Sequence, residues 1–315
     1  MARNEELERR LADHPEDRAS YEVYADWLQT QADPRGELIM LMLRAEDQPN
    51  ARLAAQISAF QQRHVHDLHV AFGGTLTWRR GFVDRLELDR GQISDSVPQV
   101  LEPVLHHPSC ALISAIGIRD WSTTEVLRET LDLLARRAPR GLRRLQLSVS
   151  SELPGLAQLD ALPNLTSLTI ASHGGGATAA YTPIDLSWAL GHQATRDIAH
   201  HNWPLTHLEI DFGQGNAQFD DFRPLFRRSD TSITHLNIAT RSMTRSGFAT
   251  ELVGSLVTSP LAGQLEHLGL QVDLSRADYR TLLEHKHRFK RLRTANLPVQ
   301  RNAEKLLERS TGYYR

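Results

Sequence analysis

Leu205-Thr206-His207-Leu208-Glu209-Ile210 decides the fold, because its pattern of apolar residues recurs along the chain. Apolar residues stand at the first, fourth and sixth positions of this hexad. The pattern is found again at residues 83–88, 113–118, 142–147, 165–170, 233–238 and 265–270, and in a weaker form, with Ala295 in the central place, at 292–297. Successive copies are mostly 23–32 residues apart, a period that is typical of stacked repeat architectures.

The segments between hexads decide which kind of repeat this is. Residues 124–137 and 247–257 have apolar residues at helical spacing. A strand followed by a helix at this period predicts a leucine-rich repeat solenoid, an α/β fold with a parallel concave sheet and a helical convex side. Because side chains alternate along a strand, hexad positions two, three and five are expected on the concave side.

One position of the repeat departs from the usual pattern. Three residues after the last apolar strand position, an asparagine or cysteine normally bonds to the turn. In this chain the corresponding residues are Gly91, Trp121, Ser150, His173, Gly213, Arg241 and Asp273. We therefore expect about eight irregular coils over residues 73–300.

Residues before the first hexad have the spacing of short helices. The apolar face of the second helix is Tyr21, Tyr24, Trp27 and Leu28, and Asp33-Pro34 begins a third helix with proline at its first position. Asp26 and Arg35, a charged pair beside these aromatic residues, are expected to join two helices. The third helix carries the apolar run 38–43, which predicts burial on all sides.

Two motifs in this region resemble a known family. They are Tyr24-Ala25-Asp26-Trp27-Leu28 with Asp33-Pro34-Arg35-Gly36-Glu37-Leu38-Ile39, and Trp78-Arg79-Arg80-Gly81-Phe82-Val83. Both are similar to the bacterial repeat-companion domain, a short N-terminal module found ahead of repeat segments. The resemblance covers about residues 5–90 and implies a bacterial, repeat-attached protein without a general chemical activity. We expect a helical domain at 1–72, the solenoid at 73–300, and a capping helix with tail at 301–315.

Composition excludes several classes of protein. The 315 residues have a charged fraction of 23% and a formal net charge of −2, so no basic excess indicates nucleic acid as a partner and no acidic tail indicates a solvating segment. Cys110 is the single cysteine, which fits a reducing cytoplasm. No apolar run approaches the roughly 20 residues of a membrane-spanning helix, and the charged N-terminus does not resemble a secretory signal.

Catalytic motifs are also missing from the sequence. It contains no G-x-S-x-G nucleophile elbow, no phosphate-binding glycine loop and no H-E-x-x-H pattern. We therefore expect no catalytic residue, no metal ligand and no cofactor. A hydrolase or transferase that uses histidine and acidic residues of the concave face is the least favoured interpretation, because an open sheet does not enclose a substrate.

Three histidines occupy the third hexad position in successive repeats: His207, His235 and His267. Neighbouring strands are about 4.8 Å apart, so a row of imidazoles is expected on the sheet. Three interpretations remain open: a solvated polar ladder, a contact strip for a partner that responds to pH, and, least favoured, a metal site. The full set of side chains expected on the concave, partner-binding face is His207, Glu209, Asp211, His235, Asn237, His267, Gln271, Arg144, Arg119 and Arg85.

The longest interval between hexads, residues 171–204, is an insertion of the kind that often carries contacts. Residues 185–199 within it have the spacing of a helix. Trp188 and Trp203 are its candidate aromatic contacts. Two functions are therefore carried forward: a non-enzymatic recognition or scaffold protein that binds another protein, in a bacterial signalling or defence system, and a ligand sensor that uses this insertion.

Overall fold

The computed structural model of the protein describes residues 2–64, 68, 74–89, 95–120, 123–137, 139–149, 153, 155–172, 192–211, 219–240 and 247–298. Over these residues the chain is an α/β protein: an N-terminal helical region is followed by nine strands of one sheet. The strands stand in the sheet in the order in which they occur along the chain.

The N-terminal region consists of α1 (Glu5–Asp13), α2 (Arg18–Thr30), α3 (Arg35–Asp47) and α4 (Ala51–His64). Asn4 begins α1, because its side chain accepts a hydrogen bond from the backbone N–H of Leu7 and so satisfies a donor that the first turn leaves free. The apolar core between these helices contains Tyr24 and Leu28, both fully buried, while Trp27 packs against it partly exposed.

The predicted pair of Asp26 and Arg35 is wrong. Asp26 is exposed on α2, and the carboxylate partner of Arg35 is Asp33, with both side chains only 1% exposed. Arg35 donates from Nε to Asp33 Oδ1 over 3.2 Å and from Nη2 to Oδ2 over 3.1 Å. The chain just before α3 thus supplies the counter-charge, because Asp33 is two residues from Arg35 and bends back onto it.

A hairpin connects the helical region with the repeats. The strand β1 (Thr75–Arg79) pairs antiparallel with β2 (Phe82–Asp89). The turn residues Arg80 and Gly81 have φ angles of 47° and 84°, as a two-residue hairpin turn requires at both positions. The Trp78–Val83 motif therefore encodes this turn.

The hexads form β2 and the seven strands that follow it, with their apolar residues directed into the protein. These strands are β2, β3 (Ala115–Asp120), β4 (Arg144–Val149), β5 (Ser167–Ser172), β6 (His207–Asp211), β7 (His235–Ala239), β8 (His267–Gln271) and β9 (Thr294–Asn296). β2 pairs parallel with β3, and β5 to β9 pair parallel in succession. The fourth and sixth positions are buried in the first seven copies, as Leu208 at 2% and Ile210 at 0% exposure illustrate.

Helices return the chain between most of these strands. They are α5 (Val97–His106), α6 (Thr124–Arg137), α7 (His192–His200), α8 (Phe219–Arg227), α9 (Phe248–Thr258) and α10 (Arg276–Glu284). The helices predicted at 124–137 and 247–257 are present as α6 and α9. Between β4 and β5 the described residues hold only a short 3₁₀ turn, Ala157–Ala161.

The chain divides into two compact units, Met1–Leu147 with Gln158–Leu165, and Ser148–Ala157 with Thr166–Arg315. Unit one contains the helical region and the first repeats, and unit two contains the row of histidine-bearing strands. The domain boundaries after residues 72 and 300 stay predictions.

Several predicted features lie outside the described residues. These are Trp188, the capping helix and tail at 301–315, the part of the 185–199 helix before residue 192, and the turn positions Gly91, Trp121, Ser150, His173, Gly213 and Arg241. Within the described part of the chain, none of the helices combines the length and the apolar composition needed to cross a bilayer.

Candidate functional site

The candidate site is the solvent-facing side of β6, β7 and β8 in unit two, which we call the open face. Its side chains are His207, Glu209 and Asp211 on β6, His235 and Asn237 on β7, and His267 and Gln271 on β8. His207, Glu209 and Gln271 are exposed and the others are half-buried. This face follows from the alternation of side chains, because the intervening leucines and isoleucines enter the core.

The three histidines of the open face form a continuous row. In the parallel register His207 pairs with His235, and His235 pairs with His267. The ring centroids of His207 and His235 are 4.0 Å apart with planes at 19°, and those of His235 and His267 are 5.9 Å apart at 20°. Stacked rings turn their faces toward each other, so their nitrogens do not converge on a common point.

Threonine hydroxyls fix the orientation of the first two rings. Oγ1 of Thr206 lies 2.9 Å from Nδ1 of His207, and Oγ1 of Thr234 lies 3.0 Å from Nδ1 of His235. Thr206 also donates to the carbonyl of Thr166 over 3.2 Å, so its oxygen accepts from Nδ1–H. Thr234 likewise donates to the carbonyl of Thr206 over 3.3 Å. We therefore assign the Nδ1–H tautomer to the neutral forms of His207 and His235, which leaves Nε2 of each ring as an acceptor.

Thr206 and Thr234 occupy hexad position two, which was expected on the same face as positions three and five. The expectation stays a prediction for these residues, because position two precedes the first residue of each strand. Both threonines are half-buried, and Thr234 N–H donates to the carbonyl of Thr206 over 2.9 Å. The repeated tripeptide Thr-His-Leu was a visible signal of this support, which sequence reasoning did not use.

His267 is held differently from the other two. Its Nε2 lies 3.2 Å from Oδ1 of Asn237, and its Nδ1 is in contact with the hydroxyl of Thr294. An amide oxygen only accepts, so the proton of neutral His267 is assigned to Nε2. The end of the row toward β9 is thereby satisfied within the protein, whereas His207 and His235 present acceptor nitrogens.

Gly269 makes room for the contact between Asn237 and His267. A Cβ at residue 269 would lie 2.0 Å from Oδ1 and 2.9 Å from Cγ of Asn237. Glycine at this strand position therefore leaves the space that the amide of Asn237 occupies. Sequence reasoning did not single out Gly269, although it is the one glycine at the fifth position among the three histidine-bearing hexads.

Replacing Gly269 with alanine is expected to displace Asn237 and break its hydrogen bond to His267. Loss of a neutral hydrogen bond, with rearrangement of one half-buried side chain, should reduce the free energy of unfolding by about 1–2 kcal/mol. Urea denaturation measures the change in stability, and two-dimensional NMR of the imidazole resonances reports the broken hydrogen bond, with His267 expected to shift most. Asn237→Ala is the matched control, since it removes the same bond without the collision, and an unchanged His267 signal in both variants would contradict the assignment.

Protonation of His207, the first histidine of the row, is disfavoured. Burial, followed by the proximity of His235 and then of His267, lowers the pKa of His207 below its ordinary value. Because two adjacent imidazoles resist simultaneous protonation, His207 stays neutral at a pH where an isolated histidine takes up a proton. His207 therefore offers an uncharged acceptor beside the carboxylates Glu209 and Asp211.

The arginines expected on the concave side belong to unit one. Arg85 forms an ion pair with Glu87 over 2.5 Å, and Arg119 forms one with Asp89 over 3.2 Å. Arg144 is exposed at the start of β4. Two of the three charges are thus already balanced by carboxylates of the same sheet, and surface pairs of this kind contribute little net attraction.

The insertion contributes one described aromatic residue. Trp203 is 8% exposed, and its indole stacks on His201 with the centroids 5.3 Å apart. A ring covered to this extent presents little surface to an external ligand. The role predicted for Trp203 and Trp188 in ligand binding stays a prediction.

Other reactive groups of the described residues are arranged for structure. No group of three or more histidine, cysteine or acidic side chains in the described ranges has the geometry of a metal site. Burial raises the pKa of the Cys110 thiol to about 12, so the nucleophilic thiolate is not formed at neutral pH. The open face is therefore a rigid polar surface on a parallel sheet, and this defines the protein as an α/β protein of solenoid-like construction.

Comparison with known proteins adds no relative. The chain matches none of the protein-family models against which it was scanned, and it matches none of the curated proteins.

Proposed function

We propose that this chain is a non-enzymatic recognition or scaffold protein that binds another protein on the open face. The single observation that supports this function is the stacked row of His207, His235 and His267. The rings of His207 and His235 are each held by a hydrogen bond to the preceding threonine. Side chains held in one conformation lose little entropy on binding. The fold already holds these side chains in one conformation, so binding does not have to order them.

The surface suits a protein partner because polar side chains of three neighbouring strands lie side by side on it. The acceptor Nε2 atoms of His207 and His235 call for N–H or O–H donors on the partner. Glu209 and Asp211 beside them favour positively charged side chains, such as lysine or arginine. A partner with a strip of basic and hydroxyl side chains satisfies both requirements.

The finer classification of the fold is part of this proposal. The hexad period, the helices between strands and the helical N-terminal region support a leucine-rich repeat solenoid preceded by a repeat-companion domain. In the same proposal the protein acts in the cytoplasm of a bacterium, as a regulatory component or target of a signalling or defence system. The single cysteine and the balanced charge support this setting.

Replacing His207, His235 and His267 together with alanine is expected to leave the fold intact and to weaken partner binding about tenfold or more, since truncating central interface residues has effects of this size. Tagged wild-type and variant proteins are used for affinity capture from the native host, and co-purified proteins are quantified by mass spectrometry. Circular dichroism melting checks that the variant is folded.

The matched control is His200→Ala with His287→Ala. Both histidines are exposed in unit two but belong to α7 and to the Lys286–Arg288 turn rather than to the open face. The control should retain every partner that the wild type captures. Equal recovery by the triple variant would refute the proposed role of the row.

A further inference from the structure

Unit one contains a cavity of about 320 Å³ that the open face does not involve. Its walls come from α1, the C-terminal end of α5, the Pro108–Cys110 turn, and the last residue of α6 with the two described residues that follow. The volume is at the lower end of the range for small-molecule sites, about 300–1,000 Å³. We call it the basic cavity.

Charged side chains dominate the rim of the basic cavity. They are Arg3, Glu5, Glu8, Arg9, Arg137 and Arg140. Two of the arginines are engaged by carboxylates of the protein: Arg3 contacts Glu8 over 2.6 Å, and Arg137 contacts Glu102 over 3.0 Å. Glu8 also accepts a hydrogen bond from the hydroxyl of buried Tyr24 over 2.9 Å, so its charge is committed to the helical core.

Arg9 and Arg140 are the remaining cations of the rim. Both are exposed, and neither forms an ion pair with a carboxylate of the described residues. Arg9 belongs to α1 and Arg140 to the segment after α6, so two different elements each contribute an arginine to the lining of one cavity. Glu5 is the only other carboxylate of the lining, which leaves an excess of positive charge.

The floor of the basic cavity has a different character. It is formed by small and apolar groups, among them Ala12, Leu105, Cys110 and Ala111. Ala12 and Cys110 are 7% and 2% exposed. Arg143 donates to the carbonyl of Ala12 over 2.9 Å and so fastens the end of α1 to the residues before β4. The cavity is therefore bounded by fixed elements.

We propose that the basic cavity binds a small organic anion. Guanidinium groups match the oxygens of a phosphate or carboxylate in planar, two-point hydrogen bonds. The anionic head contacts Arg9 and Arg140, and an apolar group of roughly benzene size covers the alanines and Cys110, as the cavity volume permits. Phosphate and carboxylate share this chemistry, and the probes below distinguish them.

Binding is measured by isothermal titration calorimetry on the full chain with three probes: phenyl phosphate, benzoate and inorganic phosphate. Phenyl phosphate or benzoate is expected to bind in the micromolar to millimolar range, more tightly than inorganic phosphate because only the organic anions cover the floor. The better of the two organic probes identifies the head group. Replacement of Ala111 with leucine, which fills the floor, should weaken the organic anions more than inorganic phosphate.

The decisive variant is Arg9→Gln with Arg140→Gln. Loss of two charge-assisted hydrogen-bond donors is expected to weaken the organic anion about a hundredfold, or about tenfold for each arginine. Arg10→Gln with Arg136→Gln is the matched control, because Arg10 is next to Arg9 on α1, Arg136 is in the last turn of α6, and both are exposed and are not among the lining residues of the cavity. Its affinity should stay within about twofold of the wild type.

Thermal stability supplies an independent measurement, because a ligand that binds only the folded chain raises its Tm. Saturating organic anion should raise the Tm of the wild type and of the Arg10/Arg136 control, but not that of the Arg9/Arg140 variant. Three results would each overturn the proposal: no saturable binding of either organic probe, equal affinity in both double variants, or inorganic phosphate binding as tightly as phenyl phosphate.

Discussion

Asp33→Ala should reduce the free energy of unfolding by about 3–5 kcal/mol, the range found when one partner of a buried ion pair is removed. Arg35 is 1% exposed, and without Asp33 its charge has no carboxylate to balance it. The carboxylate also accepts hydrogen bonds from the backbone N–H groups of Arg35 and Ala2, over 3.0 and 2.6 Å. One substitution therefore leaves a buried cation without a counter-charge, although Nη2 of Arg35 still donates to the carbonyl of Ala2. It also leaves two backbone donors without their acceptor.

The pH at which stability is measured follows from the ionisation of Asp33. Burial by itself raises the pKa of Asp33, but hydrogen bonds from the side chain of Arg35 and the backbone N–H groups of Arg35 and Ala2, with the charge of Arg35, bring it below its ordinary value. A carboxylate whose pKa is lower in the folded state stabilises the protein above its unfolded pKa of about 4 and loses this contribution as the pH falls further. Urea denaturation at pH 7 therefore measures the full effect.

Two variants separate the buried charge from simpler causes. Asp26→Ala removes an exposed carboxylate from the neighbouring helix and should change the free energy of unfolding by less than about 0.5 kcal/mol. Asp33→Ala combined with Arg35→Met removes both charges, and it should be more stable than Asp33→Ala alone. If the double variant were instead the less stable of the two, burial of the unbalanced guanidinium charge would not explain the loss of stability in Asp33→Ala.

Asp33 also shows where sequence reasoning fails in this fold. Asp26 was chosen as the partner of Arg35 because both are charged and adjoin aromatic residues. The choice between two carboxylates depends on a backbone bend before α3, which brings Asp33 onto Arg35, and no periodicity reports such a bend. The sequence therefore indicated that Arg35 takes part in a charged pair, but it did not predict that its partner is Asp33.

The strands formed by the hexads could be predicted from the sequence, because the same pattern of buried positions recurs in each hexad. Each hexad places apolar residues at positions four and six, and in parallel register these positions stack on one another, as Leu208 does on Leu236. Local alternation therefore agrees with the packing of the whole sheet. The antiparallel strand β1 was missed, because it lies outside the hexads and its side chains are partly exposed.

The row of histidines in the candidate site could also be predicted from the sequence, but its detailed geometry could not. Register alone places His207 beside His235, since equal hexad positions pair across parallel strands. The spacing of the rings, 4.0 and 5.9 Å rather than a uniform interval, depends on Asn237 and on the space that Gly269 leaves for it. These are contacts between side chains of different repeats, and they have no counterpart in a one-dimensional pattern.

Gly81→Ala has the second largest expected effect on stability. Gly81 has a φ of 84°, where an L-residue costs about 1–2 kcal/mol. The added Cβ would lie 2.3 Å from Cγ1 of Ile39 and 3.1 Å from the backbone of the same residue. Ile39 is fully buried in α3, so it has little space in which to move, and overpacking of this kind adds about 1–3 kcal/mol. The variant should lose about 2–5 kcal/mol in total.

The same substitution at Gly254 gives a control with the opposite sign. Gly254 lies inside α9, and a Cβ there would have no neighbour within 4 Å. Alanine should therefore stabilise the protein by about 0.5–1 kcal/mol through its lower conformational entropy in the unfolded chain. Denaturation of both variants in urea measures the two changes. A Gly81→Ala protein as stable as the wild type would mean that the hairpin turn does not press against α3, and the glycine of the Trp78–Val83 motif would then have no structural explanation.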